Sequence, residues 1–204
     1  LGALAVICLA WLPFALLLHP LLPRRLGQQL GRWAIATGFR LYLRILEWFC
    51  ACRFDLTALD TLHDAGPLIL AANHPSLLDA VMITSRLRNA VCVMKASLMD
   101  NILFGSAARL ARYIRNDVPL EMILGARDAL QEGAHLVIFP EGTRTTDFPL
   151  DPCTPSTGLI ASRAKVPVQT LLIEFSTPYL GKAWPLFRRP ELPLTCRIRL
   201  GRRF

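Results

Sequence analysis

The sequence predicts an α/β protein with a mixed central sheet covered by helices, preceded by a pair of membrane-associated helices. Residues 1–23 contain no Lys, Arg, Asp or Glu. After Cys52, short apolar runs alternate with helical stretches. An apolar content of 53% with only 19% charged residues excludes an intrinsically disordered chain. We expect membrane-associated helices over residues 1–52 and an α/β domain over 53–204.

Residues 1–23 are predicted to form a helix that matches the roughly 30 Å hydrocarbon core of a bilayer. We expect Pro13 to kink or break it and Pro20 with Pro23 to end it. A secretory signal peptide fits poorly, because the basic pair Arg24-Arg25 follows the apolar run. If the helix spans the membrane, this pair puts the rest of the chain on the cytoplasmic side of the inner membrane. Whether it spans or lies in one leaflet stays open.

Residues 26–49 are predicted to form a second helix with a narrow polar strip. The strip comprises Gln28, Gln29, Arg32, Arg40, Arg44 and Glu47. The opposite side carries Leu30, Ala34, Leu41, Ile45 and Trp48. A strip of arginines with tryptophans along the helix indicates a helix lying at headgroup level. The alternative is a helix that packs its apolar face on the domain core.

The body of the chain is predicted to alternate strands and helices. The candidate strands are Arg53–Thr57, Pro67–Ala72, Ala90–Lys95, His135–Phe139, Val168–Phe175 and Thr195–Leu200. The candidate helices are Ser76–Arg88, Leu98–Arg109, Leu120–Gln131 and Pro155–Lys165. In such folds, catalytic groups usually lie on loops at the strand ends.

The net charge of +8 is concentrated near the C-terminus, where residues 181–204 hold seven basic residues and one acidic residue. On so apolar a protein, this stretch favours contact with anionic lipid headgroups or an acidic carrier protein over nucleic acid. The six cysteines are scattered through apolar surroundings and read as free thiols. Only Cys50 and Cys52 are close, and a single C-x-C pair is a poor zinc signal.

The first chemical candidate follows the strand that ends near Asn73-His74. Pro75-Ser76 can start a helix whose opening turns carry Asp79. A carboxylate that accepts one ring N–H of a histidine fixes the tautomer and makes the ring a general base. The alternative is a helix-capping pair beside a merely solvated His74.

The second candidate is the turn Phe139-Pro140-Glu141-Gly142-Thr143-Arg144, which follows another apolar strand. Gly142 allows close backbone approach to a ligand. Thr143 and backbone N–H groups can donate hydrogen bonds, and Arg144 can grip a phosphate with two of them. The alternative is a strand exit with a surface ion pair between Glu141 and Arg144.

Together, Asn-His-x-x-x-x-Asp and Phe-Pro-Glu-Gly-Thr-Arg about 60 residues later resemble the motifs of the glycerolipid acyltransferase superfamily, which includes the 1-acylglycerol-3-phosphate acyltransferases. The resemblance covers about residues 26–175. It implies that His74 is the general base and that Asp79 orients it. It also implies that the stretch Glu141, Gly142, Thr143 and Arg144 helps to bind the acceptor phosphate, and that Lys95 reaches the acceptor.

The chain departs from the family pattern at three places. The second motif, commonly Phe-Ile-x-Arg, reads Tyr113-Ile114-Arg115-Asn116, so that Arg115, the candidate for acceptor binding, comes one position early. The lysine often found after the third motif is replaced by Thr154–Gly158, and the fourth motif lacks its last proline. The reduced positive charge suggests an acceptor other than plain lysophosphatidic acid.

The resemblance implies transfer of a fatty acyl group from acyl-CoA or acyl carrier protein to the hydroxyl of a lysophospholipid such as 1-acylglycerol-3-phosphate. No cofactor and no metal are expected, and backbone N–H groups near the helix after His74 are candidates to stabilise the oxyanion. Two alternatives remain: a lipid or thioester hydrolase using the same His/Asp pair, and a non-catalytic membrane-associated scaffold.

Overall fold

A computed structural model describes residues 1–185 and 188–204. It contains one seven-stranded sheet with the order β1-β7-β6-β2-β5-β3-β4. The strands are β1 Cys52–Asp55, β2 Ile69–Ala72, β3 Ala90–Met94, β4 Ile114–Arg115, β5 His135–Ile138, β6 Val168–Phe175 and β7 Leu194–Arg203. The helices are α1 Gly2–Leu21, α2 Arg24–Phe49, α3 Leu78–Arg86, α4 Ala96–Asp100, α5 Ile102–Leu110, α6 Pro119–Gln131 and α7 Ser156–Ala164, with a 3-10 helix at Thr57–Leu62.

The sheet is mixed, as predicted. Strands β6 and β7 are antiparallel, and all other neighbouring strands are parallel. The side chains of β2 alternate between two buried faces, with Leu70 and Ala72 in one core cluster and Ile69 and Ala71 in the other. Helix α3 covers the first face, and α6 and α7 cover the second. This arrangement confirms the predicted fold class.

Two local predictions differ from the structure. Strand β4 was not predicted, because two residues are too short to show a period. The predicted helix Leu98–Arg109 is two helices divided at Asn101, whose side-chain oxygen accepts hydrogen bonds from the N–H groups of Leu103 and Phe104. Asparagine is a preferred N-cap, and here it starts a new helix inside the predicted one.

Helix α1 runs without a break from Gly2 to Leu21, so of the two predicted effects of Pro13 the break is wrong, and the kink stays a prediction. Proline removes one backbone hydrogen bond, but its fixed φ is helical. The helix ends beside Pro20, where an end was predicted. Among the described residues, α1 is the one helix that is both long enough and apolar enough to cross a membrane. Its mean hydropathy is 2.1, and most of its side chains are exposed.

Helix α2 turns part of its polar strip toward the protein. Arg32 is buried and donates through Nε to Ala111 O at 3.3 Å and through Nη1 to Asn89 Oδ1 at 2.7 Å. Gln28 is also buried and donates to Glu132 Oε2 at 3.3 Å. The expectation that this strip lies at headgroup level is therefore wrong for these two residues, whose polar atoms have protein partners.

The opposite side of α2 exposes large apolar side chains: Leu26, Trp33, Leu41, Trp48 and Phe49. The side that buries Gln28 and Arg32 also packs Tyr42, Leu43 and Leu46 into the core that the sheet and α3 share. Core packing and an exposed apolar surface thus coexist on one helix. Because α2 shares this core, the helix is structurally continuous with the α/β body, and the division at residue 52 stays a prediction.

The basic C-terminal stretch is built into the sheet as β7, which lies between β1 and β6. Arg197 pairs with Asp55 at 2.9 Å, and Arg199 pairs with Glu174 at 2.8 Å. These carboxylates come from the two neighbouring strands, so cross-strand ion pairs neutralise part of the positive charge of the C-terminal stretch. Its contact with headgroups or a carrier protein stays a prediction.

Candidate active site

The two predicted motifs meet at one edge of the sheet. Strands β2 and β5 are parallel, with Ala71 paired to Ile138, and the motif loops begin one or two residues further on. Because the carboxyl ends of parallel strands lie at the same sheet edge, His74 and Glu141 are brought together there.

Asn73 fixes the point where the chain leaves β2. Its side-chain oxygen accepts from Ile173 N at 2.7 Å, and its Nδ2 donates to Ile173 O at 3.1 Å and to Pro149 O at 3.0 Å. The backbone pairing between β2 and β6 ends at Ala72, and the Asn73 side chain makes the next hydrogen bonds to β6 in its place. The loop is thereby held as it turns toward His74.

His74 and Asp79 form the predicted pair. His74 Nδ1 lies 2.8 Å from Asp79 Oδ2, and the same oxygen accepts the backbone N–H of Ser76 at 2.8 Å. The imidazole stacks on Phe139, with ring centroids 4.0 Å apart. The His74 side chain is 19% exposed, and its Nε2 has no partner among the described residues.

Asp79 is fully buried in the first turn of α3. Burial raises the pKa of the Asp79 carboxyl to about 6, against the opposing effect of the hydrogen bonds from His74 and Ser76. At neutral pH the carboxylate is mainly ionised, so it accepts a proton-bearing Nδ1. The unpartnered Nε2 then carries the lone pair of the ring.

Glu141 holds the histidine loop from the other strand. The side chain is buried, and Oε1 accepts from His74 N at 3.0 Å and from Thr145 Oγ1 at 2.7 Å. Its Oε2 accepts from Asp151 N at 3.0 Å. The backbone N–H of Thr145 in turn donates to His74 O at 2.8 Å. Glu141 therefore acts as a positioning residue for His74, and its carboxylate is engaged by protein donors.

Gly142 and Thr143 form the exposed turn after Glu141. Gly142 has a φ of +70°, which favours glycine. Among the described residues, the backbone N–H groups of Thr143 and Arg144 donate to no acceptor. Adjacent free N–H groups in such a turn can bind an anion.

Arg144 binds backbone and not Glu141, so the alternative of a surface ion pair between them is not observed. Its Nη1 donates to Leu180 O at 3.0 Å and to Gly181 O at 2.6 Å. Leu180 O also accepts from Leu77 N at 3.2 Å. The loop after β6 is therefore fastened to both motif loops, while Arg144 keeps Nε and Nη2 without a partner among the described residues.

Lys95 and Arg115 lie further along the same sheet edge. Lys95 follows β3, two strands from β2, and Arg115 ends β4, three strands away, which corresponds to about 10 Å and about 14 Å between strands. Arg115 is exposed and pairs with Asp100 at 2.5 Å and Asp117 at 2.8 Å. Lys95 is exposed at the start of α4. The structure thus clusters His74, Asp79 and 141–144, with these two cations apart from them.

The backbone donors expected for an oxyanion are occupied. The N–H groups of Ser76, Leu77, Leu78 and Asp79 donate to Asp79 Oδ2, Leu180 O, Ser76 Oγ and Ser76 O, respectively. The expectation that the start of α3 supplies free donors is therefore wrong for these four groups, because the loop uses them to hold Asp79 and itself.

Four supporting residues were not singled out from the sequence: Asn73, Ser76, Phe139 and Thr145. All lie inside or directly beside the two motifs. Their position was a usable signal, since side chains that orient a base normally flank it. Their partners, such as Ile173, depend on which strands become neighbours.

Comparisons with known proteins identify the family of the chain. A family model described as "Acyltransferase" matches residues 53–174. The protein "Putative 1-acyl-sn-glycerol-3-phosphate acyltransferase acl-1" of Caenorhabditis elegans is 27% identical over 139 residues, 64% of this chain and 53% of the relative. The chain thus spans about half the length of this curated relative.

A solved structure shares the fold. The crystal structure of PlsC, the 1-acyl-sn-glycerophosphate (LPA) acyltransferase of Thermotoga maritima, matches with a TM-score of 0.65 at 19% identity, covering 97% of this chain and 82% of PlsC. The matched residues 53–174 contain both motif loops and the His74–Asp79 pair. The chain therefore belongs to the acyltransferase family.

Proposed function

We propose that this protein transfers a fatty acyl group from a thioester, acyl-CoA or acyl carrier protein, to the hydroxyl of a lysophospholipid such as 1-acylglycerol-3-phosphate. The observation that carries the proposal is the His74–Asp79 hydrogen bond of 2.8 Å, with Nε2 of His74 left without a partner among the described residues. That arrangement suits a base whose proton acceptor faces a substrate. The names of the relatives supply the acceptor class.

The reaction needs only His74 as a proton carrier. Nε2 takes the proton of the lysolipid hydroxyl while the oxygen attacks the thioester carbonyl carbon. The tetrahedral intermediate collapses, the C–S bond breaks, and the leaving sulfur receives the proton from Nε2. An ester and a thiol result, and Asp79 stabilises the imidazolium between the two transfers. No oxidation occurs, so the proposal includes no redox cofactor.

The acceptor phosphate is assigned to the turn after β5. The free N–H groups of Thr143 and Arg144 and the unpartnered Nη2 of Arg144 provide donors within one turn. Lys95 and Arg115 would meet a larger headgroup further along the sheet edge. The carboxylate of Glu141 is not assigned to the phosphate, because two acidic groups repel each other and its oxygens are already engaged.

Membrane association is the second part of the proposal. Exposed apolar side chains cover α1 and the outer side of α2, and Leu77, Phe148 and Leu150 are exposed near the motif loops. Such surfaces favour a site that receives lipid from a bilayer. We assign the catalytic domain to the cytoplasmic side of the inner membrane, on the basis of Arg24-Arg25 following α1.

The test is a labelled acyl thioester supplied with and without lysolipid. The wild-type protein should give acylated lipid, and His74→Ala should reduce the rate by about 10²–10⁴-fold. His19→Ala, a change at an exposed histidine in α1, is the control and should keep full activity. Release of free fatty acid without transfer would identify a hydrolase. Absence of turnover, or wild-type turnover by His74→Ala, would reject the proposed mechanism.

A further inference from the structure

A polar groove lies at the end of the sheet opposite the active site. It consists of two adjacent cavities of about 470 and 650 Å³ that share Arg88 and Asn89 in their walls. They lie between α2 and the amino ends of β3 and β5, where Asn89 precedes β3 and His135 begins β5. We call these two cavities the basic groove, because six arginines line them: Arg25, Arg32, Arg40, Arg44, Arg86 and Arg88.

The basic groove has more positive than negative charge. Its acidic side chains are Asp60 and Glu132. Asp60 already lies 3.5 Å from Arg86, and Glu132 accepts from Gln28. Within the part of the chain that the structure describes, Arg25, Arg44 and Arg88 form neither a salt bridge nor a side-chain hydrogen bond. Six guanidinium groups around two carboxylates leave a surplus of cations.

Two buried side chains in its walls are incompletely satisfied. Arg32 is 7% exposed, and its Nη2 has no partner among residues 1–185 and 188–204. His135 is also 7% exposed, and its Nδ1 likewise lacks a partner there. Buried polar groups normally have hydrogen-bond partners, and burying such a group without a hydrogen bond costs free energy.

The arginines also act on one another. Partial burial, followed by the charges of Arg88, Arg44 and Arg86, lowers the pKa of the Arg40 guanidinium. A bound anion would offset this repulsion.

We infer that the basic groove is a binding site for a phosphate group, distinct from the active site. Guanidinium groups form bidentate hydrogen bonds to phosphate oxygens, and the tetrahedral oxygens of one phosphate can accept from several guanidinium groups at once. The volume exceeds that of one phosphate, so the group belongs to a larger ligand, either an anionic lipid headgroup or a soluble phosphate compound. Trp33, half-exposed in the wall, offers an apolar contact beside the charges.

The basic groove is separate from the acyl-transfer chemistry. Strand β5 begins at His135 in the groove, and Phe139, just past its end, stacks on His74. Four residues of strand span about 13 Å. The inference therefore does not depend on the proposed function, and ligand binding can be measured without turnover.

The first test titrates inorganic pyrophosphate into the full chain in neutral detergent, by calorimetry. Saturable binding is expected. Arg88→Gln and Arg25→Gln should each weaken it about tenfold, since each removes one charge-assisted contact. Both positions are exposed, whereas Arg32 also holds Ala111 and is avoided. Arg163→Gln, at an exposed position on α7, is the matched control and should bind like wild type.

The second test distinguishes the two sources of the phosphate. Vesicles of phosphatidylcholine, alone or mixed with phosphatidylglycerol, are incubated with the same variants. If Arg88→Gln binds the mixed vesicles more weakly than Arg163→Gln does, and the two variants bind pure phosphatidylcholine vesicles equally, the result supports a headgroup in the groove. Equal vesicle binding, with selective loss of pyrophosphate binding, supports a soluble phosphate compound.

Three outcomes would overturn the inference. One is no saturable pyrophosphate binding together with equal vesicle binding by all variants. Another is equal weakening by Arg163→Gln, which would indicate general charge attraction. The third is loss of pyrophosphate binding in Arg144→Ala but not in Arg88→Gln, which would place the anion at the active site. Melting temperatures of all variants confirm that each one is folded.

Discussion

The two ends of strand β5 use polar side chains in opposite ways. Beyond its carboxyl end, Glu141 engages both of its oxygens with protein donors, and His74 is held through its backbone N–H, its carbonyl and its Nδ1. At its amino end, Arg25, Arg44 and Arg88 have no such partners within the described residues. At the carboxyl end the protein holds His74 and Glu141 through their hydrogen bonds, whereas the amino end holds arginines without a partner among the described residues.

This difference separates two kinds of site. A general base works when its geometry is fixed before the substrate arrives, so its hydrogen bonds are made within the protein. A binding site for an anion works when its donors remain available to the ligand. The four predictions below concern three residues of the carboxyl end, and these residues are taken from the largest expected effect on turnover to the smallest.

Replacing Asp79 should have the largest effect. Asp79→Asn keeps the size of the side chain but removes the charge that stabilises imidazolium and selects the Nδ1–H tautomer, so the turnover number should fall by about 10²–10⁴-fold. Steady-state acyl transfer measures it, with Asp64→Asn, at an exposed position, as the control. Wild-type turnover in Asp79→Asn would contradict the assigned role.

The same variant gives a pH test of stability. Burial raises the pKa of Asp79 from 3.8 to about 6, so its contribution to the free energy of unfolding is full below about pH 4 and is lost as pH rises through 6. Asp79→Asn lacks this titration. Its stability relative to wild type should therefore increase by on the order of 1–3 kcal/mol from pH 4 to pH 7. Urea denaturation at both pH values measures this, and a constant difference would show that the buried carboxyl does not titrate there.

Replacing Glu141 should have an intermediate effect. Glu141→Gln exchanges one acceptor oxygen for an NH₂ group, which faces a donor whichever way the amide turns, so the loop around His74 is loosened. We expect a turnover number lower by about 10–100-fold and a stability loss of about 1–3 kcal/mol. Glu121→Gln, at an exposed position on α6, serves as the control. Unchanged turnover with reduced stability would restrict Glu141 to a structural role.

Replacing Arg144 should have the smallest effect on the chemical step. Arg144→Ala removes one proposed phosphate donor, and the KM for the lysolipid should rise about tenfold while the KM for the thioester stays constant. Arg163→Ala controls for the loss of a positive charge. A changed thioester KM with an unchanged lysolipid KM would assign Arg144 to the donor side.

Much of the carboxyl end could be predicted from the sequence because its residues are local. His74 and Asp79 are five positions apart, and an apolar strand precedes each motif. The backbone between them sets their distance, so the pair follows from strand, loop and helix start. The alternation of strands with helices along the sequence likewise predicted the sheet and its helical layers.

The remainder depends on contacts between distant segments. The hydrogen bond of Arg32 to Asn89 joins residues far apart in the chain, and no period in α2 indicates that an arginine on its polar strip is buried. Glu141 was predicted to help bind the acceptor phosphate because it belongs to the motif. A motif shows which residues occur together, but it does not show which way their side chains turn. The two-residue strand β4 exists only because Met94 offers a neighbour to Arg115.

The carbonyl of Leu180, which receives both Leu77 N and Arg144 Nη1, makes the connection from β6 to β7 a brace across the catalytic edge. Moving this carbonyl would remove one hydrogen bond from each motif loop at once, although it supplies no reacting atom. A chimaera that exchanges this connection with a relative's would therefore need to carry over the bend at residues 180–181 to keep its turnover.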